Sequence, residues 1–295
     1  MTRQDFAVTV RPWMGFEETV EPIGAKLMAE GLAKPMTTKC DVAEVGTQIH
    51  SIVNQQVSGV FISGDLPTIG NPDCMFVANG RPLVMIEYLD PQRKQADLRE
   101  LSSLHYYMSL NNVRYGVVTS FSRALFVRLA DTNILEASKI ADDASFLLSA
   151  YVAVCKRAAA TPRPEEPPLF SPLIEVYDGQ HLKGLLRFTA VDVSAYGQTK
   201  ICKGEFQRST GLKPAFYTVY VKCIDLRKTT PSEQLELENE AQIYRELRYL
   251  QGNSIPVFYA YGVVGGFLRC LIVEYRGQRF NSVGYRGSTS LLTAN

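Results

Sequence analysis

At 295 residues the chain has room for two domains, taking roughly 150 residues for each. Its 46% hydrophobic and 21% charged residues are globular in proportion, and a net charge of +1 excludes a chain that coats polyanions through its overall charge. The start, Met1-Thr2-Arg3-Gln4-Asp5-Phe6, has no apolar run, and no stretch reaches membrane-spanning length, so an intracellular protein without signal peptide or membrane contact is expected. The six cysteines are scattered without a C-x-x-C pair, and there are only three histidines, which disfavours a zinc or histidine metal centre.

In chain order, Gly15–Glu30 and Cys40–Val57 read as helices, the second with Val42, Val45, Ile49, Ile52 and Val53 on one side. Val60-Phe61-Ile62 is a short strand. Cys74–Ala78 and Pro82–Leu89 are apolar runs joined at Asn79-Gly80, a hairpin signal, and their continuous apolarity predicts a central hairpin covered on both faces. Lys94–Leu110 is a third helix, whose His105-Tyr106-Tyr107-Met108 reads as core. Tyr115–Thr119 and Leu125–Leu129 are strands, and Ile140–Ala158 is a closing helix.

The prolines between Thr161 and Pro168 exclude helix interior and central strand, and predict an extended linker. The expected organisation is a first domain over 1–158, a linker over 159–172, a second domain over 173–275 and a coreless tail over 276–295. In the second domain Tyr217–Val221 is a strand that delivers Lys222. A polar break at Thr229-Thr230-Pro231 leads to a helix carrying Glu236, Glu238 and Glu240. Strands follow around Val257–Val263 and Leu268–Tyr275, split by Gly265-Gly266. The fold class is α+β: a mixed sheet flanked by helices, then a β-sheet with one helix.

Asp73 opens the first hairpin strand and Glu87 lies near the end of the second. A two-residue loop at Asn79-Gly80 pairs Asp73 with Ile86 and sends the two carboxylates to opposite faces. A three-residue loop that includes Arg81, with a bulge at Gly80 or Arg81, pairs Asp73 with Glu87 on one face, with Cβ atoms about 5 Å apart. Carboxylates that close need a cation between them, and their oxygens suit Mg²⁺ or Mn²⁺.

Pro72-Asp73 … Glu87, set in helix, three strands, helix, strand, resembles the PD-(D/E)XK superfamily of restriction-endonuclease-like nucleases over roughly Asp41 to Leu129. The resemblance implies a nucleic-acid substrate, a divalent metal on Asp73 and Glu87, and a further acid from the earlier helix, for which Glu44 is the candidate. It also implies a lysine two residues after the second acid, but Glu87-Tyr88-Leu89 places leucine there. Leucine can neither orient water nor stabilise phosphate charge, a loss worth about 10²-fold or more in rate. Lys94 or Arg93, at the start of the next helix, is the expected substitute. A degenerate site is expected.

Val219-Tyr220-Val221-Lys222 stands where protein kinases carry V-A-I-K, and Glu240, seven residues before Leu247, stands where their next helix carries the lysine's partner. With Leu271-Ile272-Val273-Glu274-Tyr275 as fifth strand and hinge, Leu173–Tyr275 resembles the small lobe of a fungal-type protein kinase. The resemblance implies ATP held by Lys222, Glu240, Glu274 and Tyr275, and an exposed edge that receives a protein partner. Three features oppose phosphoryl transfer: a loop near Ser194–Ile201 with only Gly197, Tyr220 facing the adenine position, and no aspartate after Asp225. A catalytically incompetent, pseudokinase-like lobe is expected, or a truncated piece of a full kinase. The fusion resembles Crinkler-type effectors, which implies action in a nucleus.

Overall fold

The computed structural model describes residues 8–30, 42–63, 68–89, 98–131, 134–161, 173–192, 199–209 and 215–276, without the side chains of 28, 42–45, 98–99, 144 and 191–192. The expected linker, the loop around Gly197 and the tail beyond Arg276 lie outside these residues.

The first part of the chain forms β1(Thr9–Pro12), α1(Phe16–Ala29), α2(Val42–Gln56), β2(Val60–Ile62), β3(Cys74–Ala78), β4(Arg81–Tyr88), α3(Leu98–Leu110), β5(Tyr115–Thr119), β6(Ala124–Asp131), β7(Ile134–Ala137) and α4(Ala144–Ala160). The strands make one mixed seven-stranded sheet in the order β1-β7-β6-β5-β4-β3-β2. β3 and β5 are buried at every position, as expected for strands covered on both faces. One face packs on α1, α2 and α4 through Phe16, Ile49, Val53, Phe126 and Tyr151. The other packs on α3 through Met85, Leu104, Tyr107, Met108 and Val118.

Two strands of this sheet, β7 and the edge strand β1 beside it, were not expected. All four residues of β1 are exposed, so it carries no apolar signal, and it exists because it pairs in parallel with β7.

The second part forms β8(Ile174–Asp178), β9(His181–Asp192), β10(Thr199–Arg208), β11(Phe216–Asp225), α5(Pro231–Glu246), β12(Phe258–Val264) and β13(Leu268–Glu274). Instead of an open sheet these strands close into a barrel in the order β10-β11-β13-β12-β8-β9. Closure is made by β8, which pairs with β9 on one side and with β12 at Val176 and Tyr177 on the other. The interior is filled by alternate residues, among them Val176, Leu186, Phe206, Val219, Val221, Cys223 and Ile272. The five described cysteines are buried and free.

The closed barrel has no open strand edge. Exposed apolar side chains lie instead on α5 and just after it, at Leu235, Ile243 and Tyr249. α5 starts at a capping box between Thr230 and Glu233 with Pro231 in its first turn. It seals the barrel wall by burying Leu237 and Ala241 against Ile224, Tyr261 and Leu271.

The barrel and the sheet share a core. Phe267, in the β12–β13 turn and 1% exposed, packs edge-on against Tyr106 and Tyr107 of α3, with centroids 5.1 and 5.6 Å away. The preceding turn comes close enough only because Gly265, at φ +59°, has no side chain. A Cβ there would lie 2.5 Å from the Tyr106 ring. Among the described residues no helix is long and apolar enough to cross a membrane.

Candidate functional site

The hairpin combines the two registers that the sequence allows. Asn79 and Gly80 have φ of 52° and 71°, and Ala78 pairs with Arg81, so the loop has two residues in the primed form that matches strand twist. Val77 then pairs with Pro82 but Phe76 with Val84, which leaves Leu83 as the extra residue of a bulge. That single insertion shifts the ladder so that Cys74 faces Ile86, and Asp73 comes to lie opposite Glu87. The bulge sits at Leu83 and not at Gly80 or Arg81.

The two carboxylates are tied together through the backbone. The Asp73 N–H donates to Glu87 Oε1 at 3.3 Å, and the Tyr88 N–H donates to Asp73 Oδ2 at 2.7 Å. Between them lies the ammonium of Lys228, which donates to Asp73 Oδ1 at 2.9 Å and to Glu87 Oε1 at 3.0 Å. Lys228 belongs to the turn after β11, 155 residues from Asp73 and 141 from Glu87.

That turn is held by Asp225. Its Oδ1 accepts from the Arg227 N–H at 3.0 Å, its carbonyl accepts from the N–H of Lys228 and of Thr229, and its Oδ2 accepts from the Tyr107 hydroxyl on α3. The Tyr107 ring also lies under the ammonium, 5.5 Å from Lys228 Nζ. One tyrosine therefore fixes both the turn and the lysine it presents.

Burial sets the electrostatics. The Glu87 side chain is 9% exposed. Burial pushes its carboxyl up to about 7 against the pull of Lys228, and the charge of Asp73 pushes the same way. For Lys228 burial acts downward, but the two carboxylates outweigh it and hold the ammonium above its ordinary value. Burial, then the charges of Glu87 and Asp225, keep the Tyr107 hydroxyl protonated well above its usual range.

Leu89, at the motif's lysine position, packs on the core and donates its N–H to the Thr119 carbonyl. Lys94 and Arg93 lie outside the described residues, as does the Glu44 side chain. The helix that carries Glu44, α2, packs on the sheet face opposite the carboxylates. Among the described residues no cluster of three His, Cys, Asp or Glu forms a metal centre. Asp73 and Glu87 supply hard oxygens suited to Mg²⁺ or Mn²⁺, but the third group at the site is a cation that already engages one oxygen of each. In this arrangement the residues do not fit a divalent metal.

Sequence reasoning missed Lys228. It stands in a polar turn, Arg227-Lys228-Thr229, with no local mark that separates it from a solvated lysine. Tertiary packing brings it to the hairpin, through Phe267 on α3 and the bond from Tyr107 to Asp225.

On the barrel wall Lys222 of β11 donates to Glu240 of α5. The pair is over a third exposed on both sides, at 39% and 36%. Tyr220, two residues earlier on the same face, sets its ring 4.7 Å from that of Tyr275, and the Lys203 ammonium lies 4.4 Å from the Tyr275 centroid. Glu274 accepts from Arg276 Nε at 2.8 Å and from the Val257 N–H at 3.1 Å, and these bonds lower its carboxyl. No protein-family model matches the chain, and no curated protein or solved structure matches it.

Proposed function

We propose that the chain is a nucleic-acid-directed protein: a degenerate PD-(D/E)XK-type domain fused to a small-lobe-like kinase domain that does not transfer phosphate. The observation that carries this reading is the ammonium of Lys228 bonded to both acids of the motif. Asp73 and Glu87 meet on one face of a mixed sheet, as the family pattern requires, which supports a nuclease-like ancestry. The Lys228 ammonium already engages one oxygen of each acid, which supports lost or weak cleavage.

Plasmid DNA incubated with Mg²⁺ or Mn²⁺ tests both halves of the proposal. DNA binding at low salt is expected, with cleavage no faster than that of Asp73→Ala. Mn²⁺-dependent cleavage abolished by Asp73→Ala and Glu87→Ala would overturn the degenerate site. Absence of DNA binding at low salt would sink the nucleic-acid reading.

A second reading, a pseudokinase-type nucleotide or protein binder, is favoured by the bonded Lys222–Glu240 pair, the contact through which kinases align ATP phosphates. The Tyr220 ring, tilted against that of Tyr275, works against it by filling the adenine side. A thermal shift with ATP and Mg²⁺ that disappears in Lys222→Ala would establish this reading, and no shift in the wild type would remove it.

A further inference from the structure

Away from the acidic pair, three arginines line one depression of about 340 Å³ together with Tyr115, Ala160 and Thr161. The fold brings them together from distant places. Arg114 precedes β5, Arg128 pairs across the ladder with Tyr115, and Arg157 lies in the last turn of α4. The sheet face is the one covered by α1 and α4, opposite the face of Asp73 and Glu87.

Arg128 is held in place. It bonds to Glu136, and its guanidinium lies 5.1 Å from the centroid of Trp13. Arg114 and Arg157 are both exposed, and among the described residues neither has a carboxylate partner. Three guanidiniums against the one carboxylate of Glu136 leave a local charge of +2 in a chain whose total is +1. The Arg157 carbonyl, which would repel an anion at the end of α4, already accepts from the Thr161 N–H and hydroxyl.

We infer that this depression binds the phosphates of a nucleic-acid backbone, an inference that rests on the nucleic-acid reading above. Guanidinium forks match phosphate oxygens two at a time, and an arginine is the side chain best suited to such anions. The lining offers no side-chain amide to read a base edge; of its two hydroxyl residues, Thr161 is engaged on the Arg157 carbonyl and Tyr115 is buried. Contact is therefore to the backbone and independent of sequence. The site positions nucleic acid and does not select it.

The test is fluorescence anisotropy of a labelled short duplex in EDTA, at about 50 and about 200 mM salt. Arg114→Gln with Arg157→Gln changes two exposed side chains and leaves Arg128 to its structural contacts. The double variant is expected to bind about tenfold or more weakly at the lower salt, and to lose about 2 from the slope of log affinity against log salt. Arg248→Gln, which removes an exposed charge after α5 and away from the depression, is expected to bind as the wild type does. A double variant with wild-type affinity and slope overturns the inference while the nucleic-acid reading stands. A wild type that binds no duplex overturns both. Displacement of the duplex by about 10 mM inorganic phosphate at matched ionic strength reassigns the depression to a small phosphate ligand and overturns the backbone assignment.

Discussion

Lys222 and Lys228 are six residues apart, and each neutralises a carboxylate, yet the two contacts are physically different. Lys222 reaches Glu240 across 18 residues on the outside of its own barrel, where both side chains remain over a third exposed. Lys228 reaches Asp73 and Glu87 from the other part of the chain, and Glu87 is nearly inaccessible. Solvent screens the first pair, so its contribution is about 0–1 kcal/mol. The second pair replaces water around three charges, so removing one partner leaves an uncompensated buried charge. Local order creates the cheap contact, and tertiary packing creates the consequential one.

The largest effect is expected from Lys228→Met, which should lower the unfolding free energy by about 3 kcal/mol at pH 8 in urea denaturation. The loss should shrink at pH 5, where Glu87 takes up a proton and no longer needs a counter-ion. A loss below about 1 kcal/mol at pH 8 would place Lys228 with the screened pairs and erase the contrast.

Next comes the pH dependence of Glu87. Its folded value near 7 lies above its ordinary 4.5, so the folded state holds the proton more tightly. Its contribution is fully present below 4.5 and is lost as pH rises through about 7, about 2 kcal/mol between pH 5 and pH 8. Glu87→Gln should flatten that slope while keeping an oxygen for Lys228. An unchanged slope in the variant would assign the pH dependence to another group.

Gly265→Ala tests the packing that delivers Lys228. A left-handed alanine and the contact with Tyr106 should cost about 2 kcal/mol, read as a lower melting temperature. Tyr107→Phe, which removes the donor to buried Asp225, should cost about 1–2 kcal/mol. A crystal structure of that variant with Lys228 still on both carboxylates would show that the hydrogen bond is not needed to aim the lysine. Lys222→Ala should be the mildest, at most about 1 kcal/mol by urea midpoint.

Much of the fold is legible in the chain. β2, β3 and β5 follow their apolar runs to the residue, and the turn at Asn79-Gly80 follows from two residues that accept positive φ. The elements around Lys222 and Glu240 are equally readable because their partners are close in sequence. The meeting of Asp73 with Glu87 was legible only as one of two registers. Pro82 beside Leu83 marks an irregular strand, since proline inside a sheet favours bulges, but it does not fix which residue is inserted.

By itself the sequence determined the α+β class, most elements of the first part, those that carry Lys222 and Glu240, and the acidic pair. These depend on periodicity and turn chemistry, which act over a few residues. Tertiary structure alone decided that β1 joins an edge, that β8 closes a barrel and that three arginines share a depression. It also decided that Lys228 takes up the charge of Asp73 and Glu87. These contacts join segments far apart in the chain, held by burial of Phe267, Tyr106 and Tyr107, and no local pattern of residues encodes them.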